Sequence, residues 1–203
     1  MERFKNEAFT DFSELGEATA YEAGLAKARS RFGEEIPLVL DGEQIQTTKR
    51  ILSHDPGHSD RVIATCSKAD ETHLERAFQA AQERFSTWQY TPVSQRAEIA
   101  FKVAKLMRRD RHELSALMTY EVGKTWAEAD GDTAEAIDFQ DFYAREALRW
   151  GGHHPLTPYP TVDNELRCIL FGIGAGISPW IFPLAILSGM TTVAWVAGHM
   201  VIV

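Results

Sequence analysis

The last forty residues limit the fold more tightly than any other part of the chain. Residues 166–170 and 200–203 read as strands, and between them residues 183–197 form an apolar stretch of helical length rich in Ile, Val, Gly and Ala. Two strands joined by a crossover of a dozen or more residues cannot form a tight hairpin. They pair in parallel, which makes the segment a βαβ unit and places the chain in the α/β class. The apolar run 181–197 is interrupted by Pro183, Ser188, Gly189, Thr191 and Thr192. A membrane span wants about 20 predominantly apolar residues, so a buried helix is the reading and no membrane partner is expected. The chain stops at Val201-Ile202-Val203, inside an apolar run. An open apolar strand invites pairing with other chains, so the expectation is a truncated sheet.

Upstream, residues 36–40 and 43–48 flank Asp41-Gly42, a hairpin signal, and residues 61–66 read as another strand. Asp70 caps a helix whose Leu74, Ala77, Phe78, Ala81 and Phe85 share one face, with Pro92 ending it. Ser94 is read as the cap of a second helix, and Asp110 with Glu113 as a capping-box start for a third, closed by Gly123. A long acidic helix covers 125–150, with Thr133, Ile137, Gln140, Ala144, Ala147 and Leu148 as its inner stripe. Gly151-Gly152 ends it, before a loop marked by Pro155, Pro158 and Pro160. The stripes of these helices are expected to pack on one another, which makes the part up to Gly152 the more self-sufficient one. The division expected is an N-terminal hairpin and helical region, 1–160, and an incomplete start of a nucleotide-binding sheet, 161–203.

Charge and cysteine content narrow the function classes. With 21 Lys+Arg against 29 Asp+Glu the formal charge is −8, and no basic block is present. Nucleic acid and anionic membrane surfaces both need a concentrated positive field, so neither is expected as a partner. At 44% apolar and 25% charged residues the chain is globular rather than disordered. Cys66 and Cys168 stand alone, without Cys-x-x-Cys spacing, and the first residues carry no apolar signal region. A reduced cytoplasmic setting fits, or the mitochondrial matrix in a eukaryote.

Few residues suggest chemistry by themselves. Gly172-Ile173-Gly174-Ala175-Gly176 has the spacing G-x-G-x-G, whereas the dinucleotide fingerprint sets its third glycine one place later and opens a helix at once. It reads as a tight turn beside a strand. Glu128, Asp132 and Glu135 share a helix face, which reads as a solvated acidic face unless a member is buried to receive a substrate ammonium. His153-His154 lacks a third ligand at metal spacing, so no metal site is expected. Cys168, in a strand-like run, reads as an inert buried thiol.

Four longer stretches carry a resemblance. Phe4-Lys5-Asn6-Glu7, Glu121-Val122-Gly123-Lys124-Thr125-Trp126, Glu135-Ala136-Ile137-Asp138-Phe139 and Pro179-Trp180-Ile181-Phe182-Pro183 resemble the N-terminal part of the aldehyde dehydrogenase family. Within it they are most similar to the branch that oxidises L-glutamate γ-semialdehyde to glutamate in proline catabolism. The resemblance runs along essentially the whole chain and covers less than half of the family's length. It implies a Rossmann-like NAD-binding fold, NAD as cofactor and a small-molecule substrate. By the same resemblance Ile177, Ser178, Pro179 and Trp180 line the NAD cleft, largely through backbone groups. Phe182 is an aromatic wall beside the substrate, and Glu135 meets its amino-acid end. Two departures stand out. Ile181 occupies the place of the family's oxyanion-holding asparagine, and loss of such a donor costs on the order of 10²–10³ in rate. His199-Met200 replaces the family's usual Asn-Thr. The family's nucleophilic cysteine, general-base glutamate and ribose-binding lysine lie beyond Val203, and neither Cys66 nor Cys168 falls at the nucleophile's place. The resemblance therefore implies a form without catalytic residues of its own, inactive alone. The competing expectation is a non-catalytic module, or gene remnant, docking as an oligomer on a full-length dehydrogenase subunit.

Overall fold

The protein's structure, a computed structural model, describes residues 3–152 and 154–203. Among the described residues it holds six helices and three small sheets in a mixed α/β arrangement. None of these helices is long and apolar enough to cross a membrane.

The N-terminal half opens with α1 (Leu15–Ser30), an element the periodicity does not announce. Its buried positions are Tyr21, Gly24 and Ala28, so two of the three carry little or no apolar side chain. Glycine is required at position 24, where a Cβ would lie 2.7 Å from the His112 carbonyl oxygen. The missing side chain lets α1 lie directly on α4 (Arg111–Val122).

Five strands follow. β1 (Glu34–Ile36) pairs in parallel with β5 (His58–Ser67), and β4 (Arg50–Asp55) pairs antiparallel on the other side of β5. β2 (Leu38–Leu40) and β3 (Glu43–Ile45) form the hairpin expected at Asp41-Gly42. Both turn residues have positive φ, 50° and 84°, as a type I′ turn demands. The expected strand from residue 36 is split, because Pro37 offers no N–H and Ile36 belongs to a different sheet.

Helices α2 (Glu71–Trp88), α3 (Val93–Arg109) and α5 (Trp126–Trp150) fall close to the sequence reading. Two caps differ. Pro92 occupies the N-cap of α3, which places Ser94 inside the first turn, and the Asp110 carboxylate before α4 turns to Arg109 instead of to backbone N–H groups. Gly123 closes α4 in the left-handed region at φ 71°, and Thr125 with Glu128 makes a full capping box for α5.

The βαβ unit is present, with its first strand displaced. β6 (Ile173–Ala175) and β7 (Met200–Ile202) pair in parallel, Ile173 opposite Met200 and Ala175 opposite Ile202. The glycine run is therefore the strand itself and not a turn beside it, and residues 166–170 lie outside the ladder. Alternation of Leu166, Cys168 and Leu170 mimics a strand, but the three-residue β7 selects the segment nearest the turn into α6 (Ala185–Ala197). Cys168 is consequently exposed, contrary to the buried thiol expected.

Helix α6 packs on α5 and α3, and Val196 joins Ala97, Ala100 and Ala144 in one core cluster. Small residues let the three helices approach closely: a Cβ on Gly189 would meet the Phe139 ring at 2.8 Å. Arg96 of α3 is buried and donates from Nε to the Val196 carbonyl at 2.8 Å, from Nη2 to the Ala197 carbonyl at 3.1 Å, and to the Thr91 carbonyl. It thus sets a cation against the carbonyl end of α6, whose last turn has no basic residue of its own.

Candidate functional site

A cavity of about 770 Å³ opens between the N-terminal segment, α5 and the residues that lead into α6. Helix α5 contributes Glu128, Asp132, Glu135 and Asp138, the loop before it contributes Lys124, and Ile181 and Phe182 form the wall on the α6 side. The structure thus brings Glu135, Ile181 and Phe182 into one place, although Glu135 stands more than forty residues before Phe182 in the chain.

The carboxylates around this cavity differ in what already holds them. Glu7 accepts from Arg108 Nε at 2.8 Å. Asp138 accepts from Asn6 Nδ2 and from the Glu7 backbone N–H, each at 2.8 Å. The Thr125 backbone N–H and hydroxyl donate to Glu128 and hold its carboxyl below the usual range. Asp132 is buried and shared between Lys124 and the Ala185 backbone N–H. Glu135 alone among them is exposed to the cavity with no hydrogen-bond or ion-pair partner among the described residues. A carboxylate left free beside apolar and aromatic surface can take a ligand ammonium in a charge-assisted hydrogen bond.

Asp132 corrects the expectation of a solvated acidic face. Its Oδ2 lies 2.5 Å from Lys124 Nζ, and Oδ1 accepts from the Ala185 N–H at 2.7 Å. Lys124 in turn lies 4.4 Å above the Phe182 ring. Lys124 is thus a site residue that sequence reasoning passed over, and Asp132 one that it read chiefly as part of a solvated face. The one signal was a lysine between the glycine that ends α4 and the threonine that caps α5, which turns its side chain back over that helix's first turns.

Ile177, Ser178, Pro179 and Trp180 lie in the loop between the C-terminal end of β6 and the Ile181–Phe182 wall of the cavity, and none of the four lines it. Trp180 is 65% exposed and Ile177 88%. No backbone–backbone hydrogen bond is made by these four among the described residues, which leaves the N–H groups of Ile177, Ser178 and Trp180 and the carbonyls without a main-chain partner. Free backbone groups past the carboxyl end of a parallel strand fit a nucleotide cofactor held through the main chain. His199 accepts the Gly172 N–H on Nδ1 at 3.3 Å, which ties the start of β7 to the start of β6.

No group of three or more metal-ligating side chains exists among the described residues; His153 lies outside them. Cys66 lines a separate, smaller cavity with Glu121, and burial together with that carboxylate pushes its thiol up, which disfavours the thiolate.

Residues 44–203 match the aldehyde dehydrogenase family. The chain belongs to that family. The 1-pyrroline-5-carboxylate dehydrogenase of Bacillus cytotoxicus is 44% identical to it over 199 residues, 98% of this chain and 39% of that protein. Among solved structures, an arginine-to-alanine variant of Thermus thermophilus 1-pyrroline-5-carboxylate dehydrogenase matches with a TM-score of 0.95 at 40% identity, over 99% of this chain and 39% of that one. A Thermus 1-pyrroline-5-carboxylate dehydrogenase with bound NAD matches with a TM-score of 0.94 at 39% identity and the same coverage. This aldehyde dehydrogenase chain therefore spans about two fifths of the length of those relatives, and its helices and small sheets correspond to the N-terminal part of their fold.

Proposed function

We propose that this chain carries the substrate-ammonium pocket and the cofactor loop of a dehydrogenase that oxidises L-glutamate γ-semialdehyde to glutamate in proline catabolism. The observation that carries the reading is that Glu135, without a hydrogen-bond or ion-pair partner among the described residues, lines one cavity with Phe182. Glu135 binds the substrate's ammonium, and Phe182 with Ile181 lies along its carbon chain. The main-chain groups of residues 177–180 hold NAD, which when bound supplies the hydride acceptor. The relatives' names and the NAD-bound Thermus structure support this reading.

The 203-residue chain assayed as it stands does not turn over. Ile181 offers no hydrogen to an oxyanion, the Cys66 thiol sits in another cavity, and Cys168 lies in an exposed stretch away from Glu135. Aldehyde oxidation through a thiolate has no nucleophile here.

The test uses L-norvaline, which has the carbon skeleton of the semialdehyde without its reactive oxygen. It should bind the chain, followed by calorimetry or NMR titration, and Glu135→Gln should weaken binding about tenfold or more, the weight of a charge-assisted hydrogen bond. Unchanged affinity in that variant would overturn the assignment of Glu135. Aldehyde-dependent NADH formation by the purified chain would overturn the statement on turnover.

A further inference from the structure

We infer that Asp132 is the positioning residue of this cavity, a single buried carboxylate that fixes the Phe182 wall relative to Glu135. The inference rests on the reading of the cavity as an ammonium site and goes beyond it by naming the group that holds its two sides in register.

Both oxygens of Asp132 are committed to the segment around Phe182. Oδ2 holds Lys124, whose ammonium packs on the face of the Phe182 ring. Oδ1 holds the N–H of Ala185, the first residue of α6 and three residues past Phe182. Helix α6 has no side-chain cap at Leu184 and no acidic residue in its first turn. The anion its N-terminus favours comes instead from α5, across the helix interface. Glu135 lies one turn along α5 from Asp132, on the same face. The path from Glu135 to the aromatic wall thus runs through one turn of helix and one carboxylate.

Stability alone is a poor explanation for this pair. The Lys124 and Asp132 side chains are 7% and 0% exposed, and a buried ion pair is often matched or bettered by apolar side chains of similar volume. What an apolar pair cannot do is hold a particular backbone N–H and a particular ring at once.

The experiment compares the full chain with Asp132→Asn and with the double variant Lys124→Met, Asp132→Leu. In the unsubstituted chain the Lys124 ε-methylene protons, bonded next to the ammonium that lies 4.4 Å from the Phe182 ring centroid, should resonate upfield of every other lysine. In Asp132→Asn that upfield displacement should fall by more than half. The double variant should fold and melt cooperatively, yet bind L-norvaline about tenfold more weakly than the unsubstituted chain, a loss comparable to one charge-assisted contact. A structural role alone predicts that the double variant recovers binding along with stability, and that result overturns the inference. If the double variant does not fold, the proton shift in Asp132→Asn still decides, since an unmoved shift also overturns it. Should the unsubstituted chain not bind L-norvaline, the ammonium reading fails, while the ligand-free shift tests the positioning separately.

Discussion

At the scale of single residues, Ile181 and Asp130 show how one side chain bears on chemistry or on stability. Ile181 lines the cavity beside Phe182 where the family resemblance implies an asparagine. In this chain alone Ile181→Asn should leave turnover at zero, because an oxyanion donor has value only where a nucleophile creates the oxyanion. In a chimera completed with the C-terminal part of a Bacillus relative, the same change should raise kcat about 10²-fold or more. A steady-state assay with L-glutamate γ-semialdehyde and NAD checks this, and an unchanged rate refutes it. Asp130 is buried and accepts four hydrogen bonds, two from Arg111 and two from Thr10. Burial pulls its carboxyl upward, but those bonds outweigh it and hold the group below the ordinary carboxylate range. A depressed folded-state value contributes stability that is present above the unfolded value near 4 and lost as pH falls through the folded one. Asp130→Asn should therefore destabilise the chain by about 1.5–3 kcal/mol at pH 7, because the amide gives up acceptors to Arg111 and Thr10 while Glu7 and the Ala8 carbonyl still hold the guanidinium. The gap between variant and parent in urea unfolding should narrow below about pH 4. A gap independent of pH would contradict the account.

At the scale of elements, α6 is held by its neighbours' charges rather than by its own. Asp132 from α5 meets its N-terminus and Arg96 from α3 meets its C-terminus, each with the sign that the helix dipole favours. Arg96→Met should cost about 3 kcal/mol or more, since it strips a charged donor from three carbonyls. Arg96→Lys should recover less than half of that loss, because a compact ammonium cannot span the three acceptors that a planar guanidinium reaches. Chemical denaturation measures both, and equal stability of the Lys variant and the parent would show that charge alone suffices. The crossing of α5 and α6 is equally specific. Gly189→Ala drives a methyl into the Phe139 ring, and overpacking of this kind should cost about 1–3 kcal/mol.

At the scale of the whole molecule, the helices up to Gly152 share a buried face with α6. Ala97, Ala100 and Ala144 are fully buried in the cluster completed by Val196 of α6, and Gln140 donates to Thr192 Oγ1 at 2.6 Å. Ending the chain after Gly152 should uncover that face, leave Arg96 and Asp132 short of partners, and lower Tm by roughly 10 °C or more, at about 2–4 °C per kcal/mol. Calorimetry of the two lengths tests this, and an equal or higher Tm for the shorter chain would show that α6 adds nothing. Local features were legible in advance wherever the deciding interaction is local. The Asp41-Gly42 hairpin, the αL stop at Gly123, the starts of α2 and α5 and the crossover into α6 all rest on dihedral preference, capping or periodicity. The family resemblance likewise marked Glu135 and Phe182. What the sequence left undecided depends on partners distant in the chain. Which three residues form β6 was chosen by β7, the glycine-and-alanine face of α1 has meaning only against α4, and Cys168 is exposed because its segment finds no ladder. Asp132 and Glu135 are both acidic and share a helix face, so pattern alone treats them alike. The tertiary fold places Lys124 and the first N–H of α6 against Asp132 and, among the described residues, no hydrogen-bond or ion-pair partner against Glu135, because burial and pairing belong to three-dimensional neighbours and not to residue type.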